Sequence, residues 1–222
     1  MTVTDSDIIA ILESLIPETS SDVVTEAAKS DAVQAALDWH SRLNPKYTVQ
    51  LGTADGTKIY SAPTRFLSIS RIEVPYGSAP PIYLAGTAWD LHYGTAGYEI
   101  VFATDPGSGK VFAIHYDAYW DIGDIDTRDK NKIAYLAAAW LSLRRAALSA
   151  SDVGSVITAN NVNYSSQAKR WMELADKFIT FYATSTGISA KHVMEGAVAP
   201  ASGLGQVPQF QLYDRVFWGD GS

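Results

Sequence analysis

The spacing of apolar residues changes period twice along this chain, and few architectures accommodate both changes. Up to Leu43 the apolar side chains recur at helical spacing, between Tyr47 and Tyr116 they alternate every second residue, and from about Thr127 the helical spacing returns. Such a chain sets a β-region inside a helical frame. The pattern predicts an α+β protein: mainly an α-helical bundle, with an inserted small antiparallel β-domain and an extended C-terminal arm. The expected divisions are 1–46 for the N-terminal helices, 47–117 for the β-region, 118–187 for the long paired helices, and 188–222 for the arm.

Local signals give each part its expected boundaries. A Thr4/Asp5 cap precedes Ile8, Ile9, Leu12 and Leu15, and Pro17 breaks that helix. Ser21 or Asp22 is the expected cap of a second helix with Val24, Ala28, Ala32, Ala36 and Trp39 roughly on one side. It stops before Asn44-Pro45, because proline disfavours helix at the residue before it. In the β-region "TADGTK" reads as a hairpin turn at Asp55-Gly56. In "LSISRIEV" the alternation changes phase between Ser70 and Arg71, the mark of a β-bulge. Trp89, Leu91 and Tyr93, then Tyr98, Ile100 and Phe102, then Phe112, Ile114 and Tyr116 alternate with polar or smaller neighbours. Short strands separated by turns predict a small antiparallel sheet or partial barrel.

The helical half carries the most distinctive segment. Asp126 is the expected cap of a helix from about Thr127, with Asp129 at the positive end of its dipole. Ile133, Leu136, Ala137, Trp140, Leu143 and Ala147 make its apolar stripe. Asn160 or Asn163 is expected to start the last helix, with Ala168, Trp171, Ala175, Phe178 and Tyr182 in 3–4 spacing and Gly187 closing it. An antiparallel pair follows, in which Leu136 and Trp140 meet Trp171, Ala175 or Phe178. The Ala137-Ala138-Ala139 patch lets helices approach closely. A helix apolar over so much of its circumference is expected to be covered on two sides, by the last helix and by the bundle or a neighbouring subunit.

Charge and composition exclude several classes. A net charge of −7 argues against a protein that grips nucleic acid through its phosphates. The chain has no cysteine, so disulfides and thiolate metal sites are excluded. The N-terminus is acidic and lacks the basic start of a signal peptide, and no apolar run approaches the roughly 18 residues of a membrane span. The expectation is a soluble protein that stays in the cell that makes it.

Motifs of chemistry are few. Gly107-Ser108-Gly109-Lys110 resembles the end of a phosphate-binding loop, but the earlier glycine is Thr104, the hydroxyl after the lysine is Val111, and a strand rather than a helix follows. A hairpin turn is the plainer account. Asp117, Asp121, Asp124, Asp126 and Asp129 lack the spacing of a calcium loop, and a solvated linker with a helix cap accounts for them. His40, His92, His115 and His192 are scattered with no i, i+4 pair. No serine sits in a G-x-S-x-G elbow. Carboxylate pairs are matched in space, so sequence neither offers nor removes them. Asn163-Tyr164-Ser165 matches a glycosylation sequon, idle in a protein that is not secreted. No catalytic residue, cofactor or metal is expected, and the protein is not expected to be an enzyme.

Order and spacing say more. "RIEVPYGSAPPIYLAGTAWDLHY", a strand, a Pro-Gly turn, "KVFAIHYDAYWDIGDID", the Ala-rich helix and "ANNVNYSSQAKRW" follow one another. In this order the chain resembles the head–tail connector, or adaptor, proteins of tailed double-stranded DNA bacteriophages, over roughly Ser21 to Gly187. The most telling pieces are "VPYGSAPPIYL", the "D-x-x-x-I-A-x-L-A-A-A" start of the long helix, and "ANNVNYSSQAKRW". The extra N-terminal helix and the aromatic tail depart from the pattern. The resemblance implies a structural protein of the virion neck, made and assembled in the bacterial host cytoplasm. It implies a helical bundle with an inserted β-region and a homo-oligomeric ring, expected to be dodecameric. The ring's partners would be the portal protein and the next neck or tail protein, with DNA only as passing cargo and no membrane. Another neck component, such as a stopper or tail-completion protein, and a virion-associated hydrolase are the alternatives.

The end of the chain adds a residue-level expectation. From Ser189 to Pro208 the sequence has too little large apolar content for a core, and is expected to be a mobile tether. Phe210, Leu212, Tyr213, Arg215, Val216, Phe217 and Trp218 then crowd together, as docking peptides do. Their alternation suits a strand added to a partner's sheet edge, with the portal as the partner in the favoured reading.

Overall fold

The computed structural model describes residues 2–16, 24–95, 97–151 and 164–197. Ser21, Asp22, Asn160, Asn163 and every residue of the aromatic arm from Phe210 to Trp218 lie outside the described residues. The described residues form two compact units: a helical one from residues 2–44 and 120–197, and a β-unit from residues 45–119. The protein is α+β, with helices α1 (Asp5–Leu15), α2 (Glu26–Leu43), α3 (Lys130–Ser151), α4 (Tyr164–Thr186) and α5 (Ala190–Ala197) among the described residues. Strands β1 (Lys46–Thr53), β2 (Ile59–Ser61), β3 (Phe66–Glu73), β4 (Trp89–Gly94), β5 (Gly97–Phe102) and β6 (Val111–Ala118) build two three-stranded antiparallel sheets.

Local capping sets the helix starts. Thr4 caps α1 in a capping box with Asp7, whose carboxylate accepts the Thr4 amide at 2.9 Å. For α2 the cap is Thr25, not Ser21 or Asp22: its hydroxyl accepts the Ala28 amide at 3.2 Å. Val24 is buried just outside that cap, which pins the chain at the turn and moves the start past the earlier candidates. α3 also starts later than Thr127. Asp126 accepts the Arg128 amide at 2.8 Å in a local turn, and the Asp129 carbonyl then opens the helix by accepting from Lys132.

α3 is the axis of the helical unit. Ile133, Ala134, Leu136, Ala137, Ala138, Ala139, Leu141 and Ser142 are all buried, and α1, α2 and α4 pack around them. The alanine patch is therefore covered on more than one side, by α4 and by the bundle helices α1 and α2, the bundle being the one of the two expected second covers that the chain itself supplies. Tyr135 and Trp140 are the half-buried, outward positions. Tyr135 meets Phe181 at 5.5 Å between centroids, and the Arg145 guanidinium lies 5.9 Å over Trp171. These two contacts make α3 and α4 an antiparallel pair, with Ala134 and Ala138 buried on α3 and Phe178 and Tyr182 buried on α4.

The segment expected to be tether begins as a helix. Ser189 accepts the His192 amide at 3.2 Å, α5 follows, and Val193 is fully buried. The Trp39 indole N–H donates to the Val193 carbonyl at 2.8 Å, tying α5 to α2. One valine with a tryptophan to meet was enough to order a stretch poor in large apolar residues.

The β-unit is organised as β1-β6-β3 and β2-β5-β4. Ile72, Ile100, Phe102, Phe112, Ile114 and Tyr116, drawn from both sheets, make its core, and Tyr60 sits edge-on to Phe102 and Phe112. Two turns read as hairpins are instead crossovers between sheets: β1 and β2 pair with different partners, and so do β5 and β6. At the first, Asp55 accepts from the Thr57 amide and from the Tyr60 hydroxyl at 3.0 Å, turning the chain toward the aromatic core rather than back along β1. Register shifts fall between Phe66 and Ser68 and between Ile69 and Arg71, so the phase change in "LSISRIEV" is a bulge.

Candidate interaction surface

The four histidines sit in different surroundings. His40 is buried, with Nδ1 2.7 Å from the Tyr182 hydroxyl, and burial holds its imidazole down to about 4. Burial also pushes the Tyr182 phenol up. The pair is a neutral core hydrogen bond. His92 and His192 are exposed beside Asp90 and Glu195. Among the described residues no three His, Asp or Glu side chains gather as a metal site. Asp117 accepts the Ser68 hydroxyl at 2.9 Å, Asp129 pairs with Lys132 at 2.7 Å, and Asp121 and Asp124 bracket the short turn Ile122–Asp124. Gly107-Ser108-Gly109-Lys110 is the turn into β6, with Gly107 and Gly109 at φ 95° and 80°.

Strand pairing assembles one polar cluster, around the fourth histidine, that sequence reading missed. In the β1–β6–β3 register Val49, His115 and Arg71 share one row, and Leu51, Ala113 and Glu73 the next, on the face away from the core. The Tyr47 hydroxyl bonds to His115 Nδ1, Tyr83 stands edge-on to the same imidazole, and Arg71 stacks 4.4 Å over Tyr83. The arrangement brings a phenol, an imidazole and a carboxylate into line, the order of a proton relay. The relay is broken. His115 Nε2 lies 3.5 Å from Glu73, an electrostatic contact, and makes no hydrogen bond. Glu73 is engaged elsewhere, since its Oε1 accepts the Gly77 amide at 2.9 Å, where φ of 82° favours glycine. The carboxylate anchors the loop that runs through "PYGSAPPIY". No sequence signal marks the cluster, because Tyr47 on β1 and His115 on β6 are 68 residues apart.

The β-unit also exposes large apolar side chains on both sheets. Tyr47, Val49, Leu51, Ile59, Tyr76, Ile82, Tyr83, Tyr93 and Val111 of the β-unit are exposed, with Tyr47 at 55%, Leu51 at 53% and Tyr93 at 73%. In the helical unit the comparable described residues are Leu148, Met172, Phe181 and Met194. The smaller unit carries nine of these thirteen exposed large apolar side chains, which makes it the candidate interaction surface. Leu136 and Phe178, two of the expected helix-packing residues, are buried, whereas Trp140 and Trp171 are half-buried under Arg144 and Arg145.

No family model matches the chain, and no curated protein is similar to it. Solved structures are. A chain in the neck of an empty gene transfer agent particle, computed with C6 symmetry, is 16% identical, covers 77% of this chain and 92% of its own, and superposes with a TM-score of 0.32. One in the neck of the native particle, computed with C12 symmetry, is 14% identical over 77% of this chain and 91% of its own, with a TM-score of 0.29. One in the virion of the native particle is 15% identical over 77% and 92%, with a TM-score of 0.31. Among the described residues no helix is long and apolar enough to cross a membrane.

Proposed function

We propose that this protein is a structural component of a virion neck, a homo-oligomeric ring that joins the portal of the head to the next neck or tail component. DNA passes through its lumen. The observation that carries the reading is the uneven placing of apolar surface: a helical unit that buries the alanine-rich stretch of its axis, and a small β-unit that leaves nine large apolar side chains in water. A ring subunit needs that division, a rigid frame and a set of contact surfaces. The order of segments shared with the connector family supports the same reading, as does the net charge of −7, since a lumen that attracted phosphate would retard DNA. The ring is expected to be dodecameric, it is located in the virion between head and tail, and its role is mechanical rather than enzymatic.

In this reading the arm from Phe210 to Trp218 docks on the portal, and the Gly/Ala/Pro stretch before it gives the reach. A chain truncated after Gly203 keeps α5 and should melt like the full chain, yet fail to assemble on portal rings. Wild-type affinity of the truncated chain for portal would remove the arm from the interface. A protein that stays monomeric by native mass with and without portal rings would remove the ring.

A further inference from the structure

The β-unit has four sheet edges, and they are not equivalent. β3 is covered at its end by the chain after it and broken by two register shifts before that: the Val74 amide donates to the Ile82 carbonyl at 3.0 Å, the Leu84 amide to the Ile72 carbonyl at 2.8 Å, and Glu73 bridges Tyr83. β2 is only three residues long. That leaves β1, eight residues in one sheet, and β4, six residues in the other, each with no strand on its outer side among the described residues.

Edges of this kind are usually blunted by bulges, prolines or charges, because a bare row of amides and carbonyls templates another strand. β3 has two register shifts. β1 has none over its whole pairing from Lys46–Ala118 to Thr53–Val111. Its one charge is Lys46 at the start, its interior has no proline, and Tyr47, Val49 and Leu51 stand exposed along it. β4 has one carboxylate, the exposed Asp90 beside His92, no proline, and Tyr93 next to its end, the most exposed large apolar side chain among those described.

We infer that the free edge of β1 in one copy of this chain pairs with the free edge of β4 in the next copy, head to tail. The occupant is a second copy because one molecule offers two unlike edges, one in each sheet, so every copy can give one and receive one. Two unlike edges make a heterologous contact, which repeats around an axis and gives a ring where the rotation closes and a filament where it does not, whereas a self-complementary edge would stop at a dimer. The pairing satisfies both rows of backbone groups and covers Val49 and Leu51. It rests on the proposed ring for its closure alone.

The absence of cysteine makes the test clean. Full-length chains carrying Val49→Cys or Gln50→Cys, labelled with a heavy isotope, are mixed with unlabelled chains carrying His92→Cys or Leu91→Cys. They are oxidised with and without portal rings and weighed. Central positions on both strands and both faces sample either direction of pairing. The expected product is a mixed-mass disulfide between a β1 copy and a β4 copy. In parallel, Val49→Lys/Leu51→Lys should melt like wild type and shift from the ring mass to the monomer mass. A ring of wild-type mass that forms no β1–β4 disulfide and tolerates both lysines overturns the edge pairing and leaves the ring reading standing. A β1–β1 disulfide in a dimer overturns the head-to-tail arrangement. A monomer in every condition overturns both readings.

Discussion

At the scale of single residues, burial decides what a side chain does more than its chemical type. His40 and His115 are both buried and each bonds a tyrosine hydroxyl through Nδ1, Tyr182 for His40 and Tyr47 for His115, but His115 Nε2 makes no hydrogen bond. Burial holds His40 at about 4, below the 6.5 of an exposed histidine. The folded state therefore resists a proton that the unfolded chain accepts, so His40 stabilises fully above about pH 6.5 and the contribution is lost as pH falls from there to about 4. The loss should amount to about 3 kcal/mol, read as falling urea midpoints across that window, and His40→Gln should flatten the curve. An unchanged slope in the variant would assign the acid sensitivity elsewhere. Side-chain size misleads in the same way. Leu136→Ala, in the fully enclosed part of α3, should cost about 2–5 kcal/mol, whereas Trp140→Ala should cost less than the roughly 3–5 kcal/mol of a fully packed aromatic. Urea denaturation of both variants checks the order, and a larger loss at Trp140 would make it the anchor of the pair.

At the scale of elements, close approach is what the small residues provide. Ala137, Ala138 and Ala139 have no exposed surface, and a larger side chain there has nowhere to go. Ala138→Leu should destabilise by about 1–3 kcal/mol through overpacking, and a melting temperature equal to wild type would contradict the tight α3–α4 contact. Gly52 in β1 meets the same limit in a sheet: a Cβ there would lie 2.4 Å from the Phe112 ring. Gly52→Ala should therefore loosen the β-unit core, visible as faster amide exchange on β6 with the helices unchanged. α5 supplies the third case. Truncation after Gly187 removes Val193 and leaves the Trp39 N–H without its acceptor, so it should cost about 2–5 kcal/mol, while truncation after Gly203 should cost little. Equal melting of the two truncated chains would show that α5 is not docked.

At the scale of the whole molecule, the two changes of apolar period marked a β-region between helical segments, because period is a local property that burial on one face writes directly into a strand or a helix. The cap at Thr4 and the bulge beside Arg71 were legible for the same reason: neighbours in sequence make them. The expected pairing of β1 with β2 and of β5 with β6 was not, since a turn such as "TADGTK" records only that the chain reverses. Which strand it then meets depended on Tyr60 finding Phe102 and Phe112. Helix α5 was hidden because its stability comes from one valine and one indole 154 residues away. The Tyr47–His115–Glu73 cluster was hidden likewise, made by groups from separate elements. Local pattern was enough to say which stretches are mainly helix and which mainly strand, α5 excepted, and composition that no thiol takes part. Which faces are enclosed and which edges stay open became fixed once the elements packed, because exposure belongs to the assembled surface and not to any stretch of chain.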